Sequence, residues 1–306
     1  MSELATSDAA IGEVESAPAP EEPHTKLSVA DMCVELGELT GEDVAAKRQS
    51  YESLAVRSHM EIGFSPFFDK LSDLRESLSR ATVAGKIRGI ESWADGTDEL
   101  KHVYKSWESF VDKLYRINIE DNRHRGEPPY ELTTRERAAK AKETQQSEWV
   151  TVANAHAYVD DIVRTKFVVP FADAVTEISD RLKGTANELQ LPNYRRYHAK
   201  DSGYHAHHVY VLMPIPAADG SEAEVTLEIK VLTKLQDTLA ELTHLLYELK
   251  RTNRLTPQKK RKLAWMFDDP DFIASYVGHT AHYVEASLVN LKTELDKLDG
   301  KPSAES

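Results

Sequence analysis

The sequence of 306 residues is poor in cysteine and in long apolar runs, and Cys33 is its one thiol. A single cysteine excludes a disulfide framework and a zinc site built on several thiols, so we expect a reducing, cytoplasmic setting. No stretch approaches the roughly 20 apolar residues that cross a bilayer. Residues 1–28 also lack the basic start and apolar centre of a signal peptide. We therefore expect a soluble protein without a membrane partner.

Positive charge is scarce as well. The chain has 38 Lys and Arg against 51 Asp and Glu, which gives a formal net charge of −13. This mean field argues against general binding of nucleic-acid backbones. A run of basic residues without an acidic one lies between positions 250 and 262. Its structural interpretation is a solvated charge run at the end of a helix, and local RNA binding is the alternative.

Hydrophobic periodicity predicts both helices and strands, with the strands in the middle of the chain. Helical spacing is seen over 40–78, 98–117, 171–182, 234–250 and 270–298. Strand patterns are seen over 162–169, 205–215 and 222–232. The polar segment 122–148 is predicted to be a loop followed by an exposed helix. The predicted class is α+β, with a mixed sheet flanked by N-terminal and C-terminal helices.

Two carboxylates fall on the predicted strands. Asp161 stands at the start of one strand, and Glu228 lies inside another. An acid within an apolar strand is costly unless a positive group pairs with it, and Mg²⁺ needs only one or two protein carboxylates. Arg164 and Lys166 follow Asp161 on one strand face, where they suit phosphate binding. A carboxylate paired with a nearby arginine is the structural alternative, and spacing alone leaves both open.

Other polar clusters flank these strands. Lys105, Ser109 and Lys113 are spaced by four, which predicts one helix face that grips phosphate oxygens or simply faces solvent. Gly203 permits a close backbone approach, and Tyr204 offers a ring on which a base can stack. The neighbouring pair His205 and His207 has the spacing of a zinc pair, but further ligands at suitable spacing are lacking.

Five segments in a fixed order resemble the synthetase domain that RelA/SpoT proteins share with small alarmone synthetases. They read KSWESFVDKL, DIVRTK, KDSGYHAHH, EIKVLT and AELTH, within residues 101–250. The resemblance implies a nucleotidyltransferase-like mixed sheet and a Mg²⁺-dependent transfer of pyrophosphate from ATP to the ribose 3′-hydroxyl of GDP or GTP. The product would be the alarmone (p)ppGpp.

The same resemblance assigns roles to individual residues. Asp161 and Glu228 would hold the metal and act as the catalytic carboxylates. The ATP side would consist of Lys105, Ser109, Lys113, Arg164 and Lys166. The acceptor side would consist of Lys200, Ser202, Tyr204, His208, Glu241 and His244, with Tyr204 stacking on the guanine.

Four positions depart from the family pattern. Arg164 replaces a glycine, Lys166 and Leu232 each replace an arginine, and Val103 stands where an arginine is frequent. These changes leave the acceptor and the activity itself open. The alternatives are pyrophosphorylation of the 3′ end of tRNA, as in toxic family members, and a non-catalytic nucleotide-binding regulator. No His-Asp dipeptide occurs, so the hydrolase activity of the long RelA/SpoT proteins is not expected.

The resemblance also suggests an organisation and partners. The predicted segments are a disordered tail over 1–28, an N-terminal helical region over 29–95, the synthetase-like domain over 96–255, C-terminal helices over 256–299 and a disordered tail over 300–306. The family further suggests a homo-oligomer and, for its toxic members, an antitoxin protein.

Overall fold

A computed structural model of the chain describes residues 27–80, 82–83, 87–88, 92–93, 104–120, 149–200, 203–216, 222–251 and 270–298. Most of both predicted tails, the segment 122–148, Val103, Ser202 and positions 252–262 of the basic run lie outside the described residues. The helices are α1 (Val29–Thr40), α2 (Arg48–Gly63), α3 (Pro66–Arg80), α4 (Trp107–Tyr115), α5 (Ala172–Glu188), α6 (Lys234–Arg251) and α7 (Pro270–Leu298). The strands are β1 (Thr82–Val83), β2 (Ile87–Arg88), β3 (Ser92–Trp93), β4 (Val163–Val169), β5 (Asn193–Ala199), β6 (His205–Pro216) and β7 (Glu222–Thr233).

Five strands form a mixed sheet in the order β3-β4-β7-β6-β5, and β1 pairs with β2 separately. Strands β4 and β7 are parallel, and their other neighbours in the sheet are antiparallel. The parallel pair lies in the middle, where apolar side chains can cover it. Glu228 on β7 therefore sits at the centre of the sheet, directly beside Arg164 on β4. The predicted α+β class with a mixed sheet and flanking helices is confirmed.

One continuous hydrophobic core joins the N-terminal helices to the sheet. It extends from Leu36 on α1 through Phe110 on α4 to Ile229 and Val231 on β7, all fully shielded from solvent. Tyr51 of α2 stacks on Phe110, with ring centroids 4.0 Å apart. Burying an aromatic side chain of this size stabilises the fold by about 1.5–3 kcal/mol. The N-terminal helices thus hold α4 against the sheet.

Helix α1 is bounded by the residues that a helix requires at its ends. Ser28 accepts a hydrogen bond from the backbone N–H of Asp31 at 3.1 Å, and Asp31 accepts one from the N–H of Ser28 at 3.1 Å. This reciprocal pair satisfies two N–H groups that the helix leaves unbonded. The helix ends at Thr40 and is capped by Gly41, whose φ of 73° suits glycine because it has no Cβ.

Several sequence predictions need correction. The helix predicted over 40–78 is broken between Gly41 and Lys47, and again after Gly63. Strands β1, β2 and β3, within the segment 29–95 predicted to be helical, were not predicted. Strand β5 was not predicted either, because its sequence NYRRYHA lacks an apolar alternation. Of the helix predicted over 98–117, residues 98–103 lie outside the described residues, 104–106 are not helical, and the described helix begins at Trp107. In the described residues, no helix is long and apolar enough to cross a membrane.

Candidate active site

The two faces of the sheet differ in chemistry. Side chains such as Val163, Phe167 and Val211 point into the core from one face. The opposite face carries mostly polar side chains. Residues paired across neighbouring strands project to the same side, so the strand register shows which residues share this face. Three rows cross that face. The first row holds Arg164, Glu228, Tyr210 and Tyr194, the second Lys166, Lys230, His208 and Arg196, and the third Val168, Leu232, Ala206 and His198.

Glu228 is the centre of a buried hydrogen-bond network on this face, with only 6% of the residue exposed. Its Oε1 lies 2.8 Å from Nδ1 of His208 and accepts a hydrogen bond from the hydroxyl of Tyr210 at 3.3 Å. The second carboxylate oxygen, Oε2, lies 3.8 Å from Nζ of Lys230. A buried carboxylate requires such partners, because an unpaired charge would be strongly destabilising.

The network fixes the tautomer of His208. A carboxylate only accepts hydrogen bonds, so Nδ1 of His208 carries the hydrogen that it donates to Glu228. In a neutral ring the other nitrogen, Nε2, then accepts from the hydroxyl of Tyr204 at 3.0 Å. Tyr204, His208 and Glu228 therefore form a directed chain that holds the carboxylate in one orientation.

The charge state of Glu228 is set by competing effects. Burial raises its pKa, but the charge of Lys230, the hydrogen bond from His208 and the charge of Arg164 together lower it below the usual value. The carboxylate is consequently ionised at neutral pH. An acid with a lowered pKa is a weak proton acceptor. Glu228 is therefore better suited to stabilising a positive charge than to acting as a general base.

Asp161 has a separate set of contacts at the start of β4. Its Oδ2 lies 2.7 Å from Nζ of Lys105, which is 7% exposed. The other oxygen, Oδ1, is shielded from solvent and has no hydrogen-bond partner among the described residues. Arg164 lies within electrostatic reach of both clusters. Burial lowers the pKa of Lys105, the partner of Asp161, and the charge of Arg164 lowers it further, as it also lowers the pKa of Glu228.

Lys105 does not share a helix face with Ser109 and Lys113, so that prediction was wrong. Its backbone N–H donates to the carbonyl of Ile162 at 2.9 Å, which ties it to the residue before β4. The hydroxyl of Tyr51 donates to the carbonyl of Lys105 at 2.6 Å. Ser106 caps α4 one residue later. Lys105 therefore reaches Asp161 from an extended segment, while Ser109 and Lys113 lie on the helix.

Lys166 is engaged by helix α6. Its Nζ lies 2.9 Å from both carboxylate oxygens of Asp237 and 3.7 Å from Oε1 of Glu241. Asp237 and Glu241 are one helical turn apart, so both face β4. The residue predicted to bind ATP thus fastens α6 to the sheet in this structure. Glu241 and His244, predicted on the acceptor side, are exposed on the same helix.

A close backbone contact lies beside the residues predicted to bind the acceptor. Gly203, with φ of 76°, meets Gly278 of α7 so closely that a Cβ on Gly278 would lie 2.6 Å from the carbonyl oxygen of Gly203. This contact positions the following residue, Tyr204. The ammonium of Lys200 lies 5.5 Å from the centroid of the Tyr204 ring. Burial, followed by the charge of Lys230, lowers the pKa of Lys200.

The two histidines considered as a zinc pair form hydrogen-bond contacts with different partners. His205 contacts the hydroxyl of Tyr197 at 2.7 Å and His279 at 3.3 Å, whereas His207 contacts Ser179 at 3.2 Å. The described part of the chain contains no group of three or more His, Cys, Asp or Glu side chains arranged to hold a metal ion. The structure therefore does not support the zinc interpretation.

Sequence reasoning missed several members of the site. Tyr210, His198 and Arg196 belong to it through the pairing of β5 with β6, and Lys230 through the pairing of β6 with β7. The nitrogen Nε2 of His198 lies 3.2 Å from the hydroxyl of Tyr210. The alternation along β7 could have indicated Lys230, because it shares a face with Glu228. The alternation offers no such signal for β5.

No protein-family model and no curated protein matches the sequence. Among solved structures, the chain is similar to small alarmone synthetase 2 from Bacillus subtilis, with 18% identity over 74% of this chain and 93% of that chain, and a TM-score of 0.44. It is also similar to a GTP pyrophosphokinase family protein from Streptococcus pneumoniae, with 18% identity, 78% and 96% coverage and a TM-score of 0.44. A third is small alarmone synthetase 1 from Bacillus subtilis bound to pppGpp, with 16% identity, 77% and 97% coverage and a TM-score of 0.44. These neighbours are of the kind that the sequence motifs resemble.

Proposed function

We propose that this chain transfers the terminal pyrophosphate of ATP to the ribose 3′-hydroxyl of GDP or GTP. The observation that carries the proposal is a concentration of positive charge around two carboxylates in an otherwise acidic protein. The basic side chains are Lys105, Lys113, Arg164, Lys200 and Lys230.

These cations outnumber the acids that they surround. Lys105 is paired with Asp161, and Lys230 lies near Glu228. Lys113, Arg164 and Lys200 make no ion pair within the described ranges of the chain. Excess positive charge in a protein of net charge −13 suits a polyphosphate ligand, because phosphoryl transfer depends on positioning and on charge neutralisation.

Asp161 and Glu228 are the proposed ligands of Mg²⁺. The shielded Oδ1 of Asp161 has no hydrogen-bond partner among the described residues, and the nearest cation to Oε2 of Glu228 is Lys230 at 3.8 Å. Each carboxylate therefore retains an oxygen suited to a hard cation, with phosphate and water completing the coordination. When bound, the ion would neutralise charge on the transferred group.

In the proposed reaction, the ribose 3′-oxygen attacks the β-phosphorus of ATP. The bond from that phosphorus to the oxygen shared with the α-phosphate breaks, AMP leaves, and the hydroxyl proton passes to solvent. Lys105, Lys113 and Arg164 hold the donor phosphates. The ionised carboxylate of Glu228 orients the attacking hydroxyl by accepting its hydrogen bond, and His208 and Tyr210 keep that carboxylate in place.

The test is incubation of the full-length protein with γ-labelled ATP, Mg²⁺ and either GDP, GTP or uncharged tRNA. We expect label on GDP or GTP, and a loss of about 100-fold or more in Glu228→Gln and Asp161→Asn, since removal of one group that stabilises transition-state charge costs about 100- to 1,000-fold. Glu188→Gln on the surface of α5 is the matched control and should retain activity.

Each remaining outcome favours a different interpretation. Label on tRNA alone, lost steeply as salt rises, would replace the nucleotide acceptor with RNA. Nucleotide binding without transfer would identify a non-catalytic regulator. Transfer that survives both carboxylate substitutions would refute the assignment of this site.

A further inference from the structure

Lys230 lies on β7 within the EIKVLT segment, but it was not among the predicted site residues. It pairs with Lys166 of β4 on one side and with His208 of β6 on the other, in the second row of the polar face. One third of its side chain, 33%, is exposed. The side chain is therefore partly accessible to solvent, next to the buried Glu228.

The contacts of Lys230 leave capacity for an anion. Its nearest carboxylate oxygen, Oε2 of Glu228, is 3.8 Å away, which exceeds the length of a charge-assisted hydrogen bond. The charge of Lys230 lowers the pKa of Glu228 and also that of Lys200. Lys230 thus lies within electrostatic reach of the central carboxylate and of the proposed acceptor loop, which comprises Lys200, Gly203 and Tyr204. Two ammonium groups near one carboxylate leave net positive charge at this point.

The third row, next to that of Lys230, is apolar on β4, β7 and β6, with His198 at its β5 end. Val168, Leu232 and Ala206 form a small apolar cluster against which Tyr204 packs. Leu232 stands two residues after Lys230 on the same face, at the place where the motif pattern has an arginine. A phosphate on the acceptor side would meet an ammonium in the second row and aliphatic side chains in the third.

We propose that Lys230 binds a phosphate of the acceptor nucleotide and so selects acceptors that carry a 5′-polyphosphate. This inference rests on the proposed function, because it assigns a residue to the acceptor half of the same site. The ammonium donates to a phosphate oxygen, while Tyr204 and the apolar third row lie beside the base. A purely structural role for Lys230, in which it only keeps Glu228 ionised, predicts a different result.

The experiment compares binding of guanosine, GMP, GDP and GTP to the full-length protein by calorimetry. The variants are Lys230→Gln and Lys230→Arg, with Lys47→Gln, at an exposed position before α2, as the control for an equal change in charge. Hydrogen bonds to charged groups typically account for about a tenfold to a hundredfold change in affinity. We expect Lys230→Gln to weaken GDP and GTP by that factor while guanosine is unchanged. Lys230→Arg should largely restore the affinity, and Lys47→Gln should match the wild type.

The outcomes separate the inference from the function on which it rests. If Lys230→Gln leaves the affinity ratio of GTP to guanosine unchanged, Lys230 does not bind phosphate and the inference is overturned, while transfer activity in the wild type can still stand. A fall in turnover with unchanged nucleotide affinity would assign Lys230 to Glu228 alone and would also overturn it. If the wild type binds none of the nucleotides, the proposed function fails together with the inference.

Discussion

Replacing Gly278 by alanine tests the contact between helix α7 and Gly203 in the proposed acceptor loop. An ideal Cβ at this position would lie 2.6 Å from the carbonyl oxygen and 2.7 Å from Cα of Gly203. Both are backbone atoms, so the clash cannot be relieved by rotating a side chain. Helix α7 and the acceptor loop must therefore separate by several tenths of an ångström.

The expected magnitude follows from two opposing effects. Alanine is more favourable than glycine inside a helix by about 0.5–1 kcal/mol. Overpacking a close contact costs about 1–3 kcal/mol. Gly184 of α5 provides the matched control, because a Cβ there meets no atom within 4 Å among the described residues. Gly184→Ala should stabilise the protein, whereas Gly278→Ala should be less stable than Gly184→Ala by about 1–3 kcal/mol.

Thermal unfolding of the two variants measures this difference, since about 1 kcal/mol shifts Tm by roughly 2–4 °C in large domains. Gly278→Ala should also bind GDP more weakly, because displacement of Gly203 moves Tyr204 and its hydrogen bond to His208. Gly184→Ala should bind GDP like the wild type. If Gly278→Ala raises Tm as much as Gly184→Ala does, the close contact does not constrain the loop and the reasoning is refuted.

Two further predictions concern charge. Burial and neighbouring positive groups lower the pKa of His198 and of His205 to about 4, so the unfolded chain binds protons more readily between pH 6.5 and 4. Their stabilising contribution is therefore complete above pH 6.5 and is lost as the pH falls through this range. Tm should decrease from pH 7 to pH 5. The double variant His198→Asn, His205→Asn should show a weaker dependence of Tm on pH, and an unchanged dependence would contradict this prediction. A double-mutant cycle on Lys166→Met and Asp237→Asn, measured by urea unfolding, should show a coupling free energy of about 1 kcal/mol or more. A coupling near zero would mean that the ion pair does not fasten α6, and Lys166 would again be a candidate for phosphate binding.

The sequence determined most elements of the sheet and its central acid. Strands β4, β6 and β7 show the β-branched or alternating pattern of buried strands, and their predicted bounds agree with the structure within about two residues. The position of Glu228 inside an apolar strand already required a compensating positive group. These features depend on local periodicity and on the cost of burying charge, and both can be read along the chain.

The tertiary structure decided which side chains meet. Strand β5 joins the site although its sequence has no apolar alternation, because it only needs to pair with β6 along one edge. Lys105 lies outside the helix, contrary to the prediction, because its backbone N–H donates a hydrogen bond to the carbonyl of Ile162, the residue before β4.

Strand register decided the rest of the site. Lys230 and Arg196 lie in one row with His208, although they come from three separate strands. The bond of Lys166 to Asp237 and the contact of Gly203 with Gly278 join residues that are 71 and 75 positions apart in the sequence. Such pairings depend on which strands are neighbours and on how closely helices approach. Local sequence patterns carry no information about either, so only the packed structure could supply them.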